Sequence, residues 1–324
     1  MSNRKYWCYR IDTNRANFFQ KDLEKGILRQ GWGWDNQQDL RNLTLDEGAK
    51  RNRPMFNKVK KGDILLIPRL PKSTEVTIAE ATEDWNQGYK FEISKEFGDY
   101  GHQFPAKILK TFVRTNGSVS GGIRATLKNV SRFWNINQYG KDVEKLILTN
   151  DTLSSQNHQD RLSNSIENVF QDIFDETNFK EKVYEKLIVE FSNEEWEFAL
   201  VAGLSNLYPE YTVERVGGKI EKHHGTDILI RMPGLSTYQY GIAIQVKDYE
   251  GFVSNEVIDQ INKADKYWLE NENLKLIDKI VIITKANKDN NLKLTSKDSS
   301  VNFIFAEELK ELLNKIAKNQ IGIR

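Results

Sequence analysis

The sequence predicts two domains, a β-rich domain with peripheral helices at the N-terminus and an α/β/α domain at the C-terminus. The chain has 324 residues, more than one core usually supports. Its first part contains short alternating apolar runs bounded by Gly, Asp and Pro, which is typical of strands. After residue 181, strand-like runs alternate with helical ones, which indicates helices on both faces of a sheet.

The N-terminal elements follow from hydrophobic period and turn residues. "KYWCYRI" alternates like a strand, "NFFQKDLEKGILRQGWGWD" predicts a short helix that ends in a Gly/Trp turn, and "DEGAKRNRPMFNKV" predicts another helix. "KKGDILLIPRL" and "EVTIAEATED" predict paired strands after a Lys-Gly-Asp turn. "HQFPAKILKTF" and "RFWNI" predict further strands.

A polar stretch separates the two domains. The segment "TNDTLSSQNHQDRLSNS" has the composition of a linker. We therefore predict a first domain at 1–140, a linker and helical connector at 141–180, and a second domain at 181–324. In that last domain, helices are predicted for "NEEWEFALVAGLSNLYP", "SNEVIDQINKADKYWLE" and "EELKELLNKIAK", and strands for "YTVERVG", "TDILIRM", "YGIAIQVKDY", "KIVIIT" and "VNFIFA".

Composition narrows the class of protein. A single cysteine excludes an internal disulfide framework, and four histidines allow no Cys/His zinc spacing, which fits a reducing cytoplasm. The N-terminus has no signal-peptide pattern and no apolar run is long enough to span a bilayer, so we expect a soluble cytoplasmic protein. Residues 1–140 carry 24 Lys and Arg against 15 Asp and Glu, which favours a polyanionic partner.

Four polar residues occupy positions that are costly inside an α/β core. Gln245 and Lys247 lie on the opposite face of their strand from Ile244 and its apolar neighbours, and Asp227 begins the preceding strand. Glu197 falls at the edge of the apolar stripe of its helix. If the two strands pair, an acid, an amide and an ammonium meet at one end of the sheet. An Asp and a Lys on neighbouring strands also form purely structural ion pairs.

Such a set suits phosphodiester hydrolysis. The reaction needs a hard divalent cation, Mg²⁺ or Mn²⁺, with oxygen ligands. We predict Asp227 as its main ligand, Glu197 as a direct or water-mediated ligand, and the backbone carbonyl of Val246 as a third. Lys247 is predicted to orient or deprotonate the attacking water and to offset phosphate charge.

The run from "EFALVAGLSNLYPEYTVERV" through "HHGTDILI", "YGIAIQVKDY" and "VIDQINKA" to "FAEELKELL" resembles the Mrr-type branch of the PD-(D/E)xK restriction endonucleases. In this branch a glutamine replaces the acid before x-Lys. The resemblance implies a restriction-endonuclease-like fold with Glu197, Asp227, Gln245 and Lys247 as catalytic residues. His223 stands where many relatives carry an acid. We also predict contacts to phosphate from His223, His224 and Gln260.

The N-terminal part resembles PUA-like domains of the EVE type, through an early Trp strand, a Trp turn, the Lys-Gly-Asp strand start and "TIAE". This resemblance implies a PUA/EVE-like barrel that reads a modified base. Exposed aromatics can stack on a flipped base. The candidate pocket residues are Trp32, Trp34, Trp7, Trp85 and Tyr100, although for each of them a place in the core is the commoner role.

Together these features predict a Mg²⁺-dependent endodeoxyribonuclease that restricts foreign, modified double-stranded DNA. Cutting both strands requires two active sites, which predicts a homodimer or a pair of molecules assembled on DNA. Two alternatives remain open at this point: a nuclease that acts on RNA or is gated by a nucleotide, and a non-catalytic nucleic-acid-binding protein with a vestigial nuclease fold.

Overall fold

A computed structural model describes residues 4–172, 178–218, 221–234 and 238–322. The chain divides into two compact units, Met1–Gln156 and Asn157–Arg324. In the described part of the chain, no helix combines the length and the apolar character needed to cross a membrane.

The first unit is built on a mixed sheet. Its strands are β1 (Tyr6–Tyr9), β2 (Ile27–Gln30), β3 (Ile64–Pro68), β4 (Glu75–Ala81), β5 (Lys90–Phe91), β6 (His102–Val113) and β7 (Phe133–Asn135). Its α-helices are α1 (Ala16–Glu24), α2 (Glu47–Lys50), α3 (Arg53–Lys58), α4 (Trp85–Gly88), α5 (Gly121–Thr126) and α6 (Gly140–Leu148). The strand order is β2-β6-β4-β3-β1-β7, with β5 also paired to β6.

This sheet is buried on both faces. Alternate residues of β3 point to opposite sides, so Leu65 and Ile67 join one core while Ile64 and Leu66 join the other. Among the described residues no pair joins the end strands β2 and β7, so the sheet is a curled half-barrel. The sequence predicts a PUA/EVE-like barrel; the β-rich character with peripheral helices is confirmed, and the PUA/EVE assignment stays a prediction.

The second unit is a five-stranded mixed sheet with helices on both faces. Its strands are β8 (Thr212–Arg215), β9 (Ile228–Met232), β10 (Gln239–Lys247), β11 (Leu274–Ile283) and β12 (Asn302–Ile304). Its helices are α7 (His158–Asp172), α8 (Phe179–Glu190), α9 (Glu194–Leu207), α10 (Glu221–His224), α11 (Glu256–Ile261), α12 (Lys263–Glu272), α13 (Leu292–Thr295) and α14 (Ala306–Gln320). The order β12-β11-β10-β9-β8 places β10 at the centre.

The two faces of β10 contact different helices. Ile244 and Val246 pack in one core with Trp196 and Leu200 of α9. Ala243 packs in the other core with residues of α11 and α12. β10 runs antiparallel to β9 and parallel to β11, so the start of β9 meets the end of β10. This arrangement is the mixed α/β unit that alternating helices and strands predict.

The predicted linker is divided between the units. α6 buries Val143 and Leu146 in the first unit, and α7 begins at His158 and buries Leu162 and Ile166 in the second. In both helices the buried apolar residues recur at helical spacing, so each helix has an apolar face although its composition is polar. The strand β2 lies in the segment for which the sequence predicts helix, because its pairing with β6 outweighs local propensity.

Candidate functional site

Asp227 is fixed at the point where β9 meets β10. Its side chain is 1% exposed, and its Oδ2 accepts a 2.7 Å hydrogen bond from the backbone N–H of Val246. The Asp227 backbone N–H donates to the carbonyl of Ile244, and its carbonyl accepts from the N–H groups of Val216 and Gly217. The carboxylate therefore has one position, set by main chain on both sides.

Glu197 reaches the same place from α9. The helix buries Trp196 and Leu200, and Glu197 follows Trp196 at the edge of that stripe, where it is 8% exposed. Its Oε2 accepts a 2.7 Å hydrogen bond from Nε of Arg215 at the end of β8. The Arg215 guanidinium also stacks 4.3 Å from the centre of the Phe198 ring. This cation compensates the charge of a nearly buried carboxylate.

Gly217 shows how close the two carboxylates are. A Cβ added at Gly217 would lie 2.9 Å from Oε2 of Glu197 and 3.1 Å from Oδ1 of Asp227. The two oxygens thus border one small space beside a residue without a side chain. Gly217 is the residue that keeps this space open, and we call the space the carboxylate cleft.

Gln245 and Lys247 belong to β10, the strand whose Val246 N–H binds Asp227. Gln245 is fully buried and donates from Nε2 to Oε1 of Gln260 on α11, at 3.0 Å. Lys247 ends β10 and directly follows Val246, whose N–H holds Asp227. By strand alternation Lys247 shares a face with Gln245, as the sequence predicts.

The donor set fits a divalent cation of the Mg²⁺ type. In the portion of the chain that is described, no group of three or more His, Cys, Asp or Glu could hold a metal. The carboxylate cleft offers two hard carboxylate oxygens, and Mg²⁺ commonly takes one or two carboxylates with water and substrate phosphate. The fit therefore depends on oxygens other than side-chain carboxylates, which is compatible with a role for the Val246 carbonyl.

Asp248 ties the start of α9 to the ends of two strands. Its Oδ2 accepts from the Asn193 N–H at 3.0 Å, and its Oδ1 accepts from Thr284 Oγ1 at 2.7 Å and pairs with Lys285 at 2.8 Å. Asn193 has φ 49° and ψ −127°, a strained backbone for a residue with a side chain. Asp248 therefore positions the helix that carries Glu197.

The two predicted histidine contacts have different outcomes. His223 is exposed. His224 is buried against Tyr267 and Trp268, and its Nδ1 accepts from the Thr226 N–H. The prediction that His224 contacts phosphate is therefore corrected, since its ring belongs to the core.

In the first unit a cavity of about 720 Å³ lies beside Trp32. Its lining comes from separate segments and includes Arg10, Asp12, Gln30, Trp32, Arg51, Asp99, Tyr100 and Arg132. We call it the Trp32 cavity. Trp32 is 40% exposed, and the guanidinium of Arg132 lies 5.7 Å from the centre of its ring.

The aromatic residues of the Trp32 cavity are held in strained backbone conformations. Trp32 has φ 65° and Tyr100 has φ 59°, values that favour glycine. Asp99 accepts from the N–H groups of Trp32, Gly33 and Tyr100. Such strain persists only where surrounding contacts enforce it, and it concentrates at functional sites.

His102 supports this backbone from behind. Its Nε2 lies 2.8 Å from the Trp32 carbonyl, which only accepts, so Nε2 carries the hydrogen and Nδ1 accepts from the Tyr89 hydroxyl. Burial lowers the pKa of His102 below its ordinary value, which keeps the ring neutral near pH 7. Burial, followed by the hydrogen bond to Asp12, raises the pKa of Tyr100 to about 12.

Of the five aromatic residues predicted for the base pocket, Trp7, Trp85 and Trp34 do not line the Trp32 cavity. Trp7 and Trp85 are corrected: they are 6% and 0% exposed, and their indole N–H groups donate to Asp63 and to the Pro105 carbonyl within the core. A sheet covered on both faces buries Trp7, Cys8 and Tyr9 of β1, so the Trp7 ring is not exposed to a ligand. Trp34 is exposed and its ring contacts that of Trp32, yet it borders a separate depression with Asp35 and Leu43.

Comparisons with known proteins add little to these observations. No protein-family model matches the chain, and no curated protein matches it significantly. Among solved structures, the chain is similar to the restriction endonuclease FokI bound to DNA, with 16% sequence identity and a TM-score of 0.30. The similarity covers 53% of this chain and 32% of the other, so the chain spans about a third of that protein. A TM-score this low does not establish a shared fold.

Proposed function

We propose that the protein is a divalent-metal-dependent endonuclease that hydrolyses phosphodiester bonds in DNA at the carboxylate cleft. The observation that supports this most strongly is the convergence of Glu197 and Asp227 on the space beside Gly217, with Lys247 at the adjoining strand end. Two carboxylates from separate segments that border one space are more than core packing requires, because each costs free energy when buried.

The proposed roles follow from these positions. Glu197 and Asp227 would hold Mg²⁺ or Mn²⁺, with the Val246 carbonyl as a further oxygen. When bound, such an ion supplies Lewis-acid polarisation of the phosphate and a more acidic water. Lys247 would donate hydrogen bonds to the phosphate or to the attacking water. Gln245, through Gln260, would hold the end of β10 against α11.

We further propose that the first unit makes cleavage depend on a modified base, which the Trp32 cavity would receive. The supporting observation is an exposed aromatic ring at a cavity with strained, well-anchored backbone. Double-strand cleavage would involve a homodimer, and the setting would be restriction of foreign DNA in the cytoplasm.

The test is cleavage of plasmid DNA by purified protein with Mg²⁺ or Mn²⁺. Unmodified, methylated and hydroxymethylated or glucosylated plasmids serve as substrates, and structured RNA serves as the competing substrate. We expect cleavage of modified DNA that requires the metal and that Asp227→Asn removes. Equal cleavage of all plasmids would reject the modified-base proposal and would still support a nuclease. Cleavage of RNA alone would show that RNA, and not DNA, is the substrate.

One contact favours a second candidate, a non-catalytic nucleic-acid-binding protein. Arg215 already compensates Glu197 at 2.7 Å, so the cleft does not need a metal for charge balance on that side. This candidate predicts no cleavage of any substrate, and DNA affinity that Asp227→Asn and Lys247→Ala leave unchanged.

A further inference from the structure

The charged residues of the Trp32 cavity divide into two classes by their contacts. Both carboxylates are engaged with the protein: Asp99 with three backbone N–H groups, and Asp12 with the Tyr100 hydroxyl and the Asn14 N–H. Neither acid therefore needs a ligand to satisfy its hydrogen bonds.

The arginines are in the opposite position. Across the described residues, the guanidinium groups of Arg10 and Arg51 have neither an ion pair nor a side-chain hydrogen bond. Arg132 donates to the Gly48 carbonyl and to Asn52 Oδ1, neither of which is anionic. Burial lowers the pKa of Arg132; Arg51 acts in the same direction, and Tyr9 and Asp99 act against it. The lining of the cavity thus carries three arginines against two aspartates, and Arg10 and Arg51 have no ion pair among the described residues.

The aromatic part of the cavity is fixed in place. A Cβ at Gly48 would lie 1.8 Å from the indole of Trp32, so the ring rests directly on the backbone of α2. Its backbone is clamped by Asp99 and His102. A rigid, partly exposed indole beside guanidinium groups offers a stacking surface and an anion site at once.

We propose that the Trp32 cavity binds a nucleotide through both of its parts, the base against Trp32 and the phosphate on Arg10 and Arg51. The proposal rests on the proposed function in one respect, that DNA is a natural source of this ligand. The same chemistry is presented by an unstacked nucleotide of DNA and by a free mononucleotide, and a volume of about 720 Å³ suits a ligand of that size.

The test uses the full-length protein in EDTA, so that no cleavage occurs. Calorimetric titrations compare a set of deoxynucleoside monophosphates, modified and unmodified, with the matching nucleosides and with inorganic phosphate. A duplex carrying 2-aminopurine reports extrusion of a base by its rise in fluorescence. We expect the phosphate to strengthen binding about tenfold over the nucleoside, the gain of a charge-assisted hydrogen bond.

Arg51→Gln and Arg10→Gln should remove that gain and leave nucleoside binding unchanged. Arg53→Gln is the matched control, since it makes the same charge change two residues away and does not line the cavity. Arg51-dependent binding of the free monophosphate identifies a free nucleotide as a ligand. Arg51-dependent fluorescence of the duplex, without binding of the monophosphate, identifies DNA as the source.

Three results would overturn the proposal. In the first, nucleosides bind as tightly as nucleotides and both arginine variants bind them like the wild type. In the second, inorganic phosphate binds as tightly as nucleotides, and in the third, no probe binds. Failure of the proposed function gives a different pattern. The wild-type protein would then cleave nothing, while Arg51-dependent nucleotide binding would persist and would be the same in Asp227→Asn.

Discussion

The carboxylate cleft and the Trp32 cavity differ in the sign of the charge that predominates in each. In the cleft, two acids remain directed at one space and a protein cation, Arg215, balances one of them. In the cavity, three arginines outnumber two aspartates, and Arg10 and Arg51 have no ion pair among the described residues. The difference indicates which ligand each region lacks: the cleft is suited to a cation and the cavity to an anion.

The largest expected effect comes from Asp227→Asn. The amide oxygen can still accept from the Val246 N–H, so the fold is kept, while the charge that would hold a metal is lost. We expect DNA cleavage to fall about a thousandfold, because several kcal/mol of transition-state stabilisation depend on the ion. Single-turnover cleavage rates measure this, with the exposed Asp259→Asn as the control. An unchanged rate would remove Asp227 from the site.

Gly217→Ala reduces the space in the carboxylate cleft and leaves the charges of the cleft unchanged. The added methyl group would occupy the point 2.9 Å from Glu197 Oε2 and 3.1 Å from Asp227 Oδ1. We expect Mn²⁺ affinity to fall by about tenfold or more, equivalent to at least ~1.4 kcal/mol, while nucleotide binding by the first unit stays constant. Unaltered Mn²⁺ affinity would show that the ion, if it binds, lies elsewhere.

Arg215→Met tests charge balance in the cleft. Without the guanidinium, the nearly buried Glu197 loses the cation that Arg215 supplies, so the metal-free protein should lose about 2 kcal/mol of unfolding free energy. Urea denaturation in EDTA measures the loss, and added Mn²⁺ should restore part of it.

The comparison variant is Arg231→Met. Its partners Glu214 and Glu272 are 39% and 40% exposed, so water can replace the lost cation and the cost should be smaller. Equal losses in the two variants would mean that the cleft carboxylates are not especially dependent on a counter-ion.

The smallest effect concerns pH and the Trp32 cavity. Because the folded state lowers the pKa of His102, the unfolded chain binds a proton first as pH falls. The stability contributed by the neutral ring is present above the ordinary histidine pKa near 6.5 and is lost as pH falls below it. His102→Gln should flatten this part of the stability curve; an unchanged slope would assign the pH dependence to other groups.

Hydrophobic period was enough to predict the elements that carry the cleft. Alternation in β10 separates Gln245 and Lys247 from Ile244, and the helical stripe of α9 leaves Glu197 at its edge. Both patterns are local, so a single sequence contains them. The roles of these residues in catalysis remain predictions.

Residues whose importance arises from tertiary contacts could not be predicted in the same way. Gly217 and Arg215 matter because β8 ends beside Asp227, which pairing alone decides. Arg10, Arg51 and Arg132 meet in one cavity from three distant segments. Likewise, a tryptophan's burial depends on what covers its strand, which is why Trp7 and Trp32 look alike in sequence and differ in the fold.

The most direct test of the central claim is anomalous diffraction from crystals of the protein soaked with Mn²⁺. The account predicts a peak in the carboxylate cleft, within coordination distance of Glu197 and Asp227 and absent in Gly217→Ala. A cleft that stays empty at saturating Mn²⁺, with Arg215 still bonded to Glu197, would contradict it.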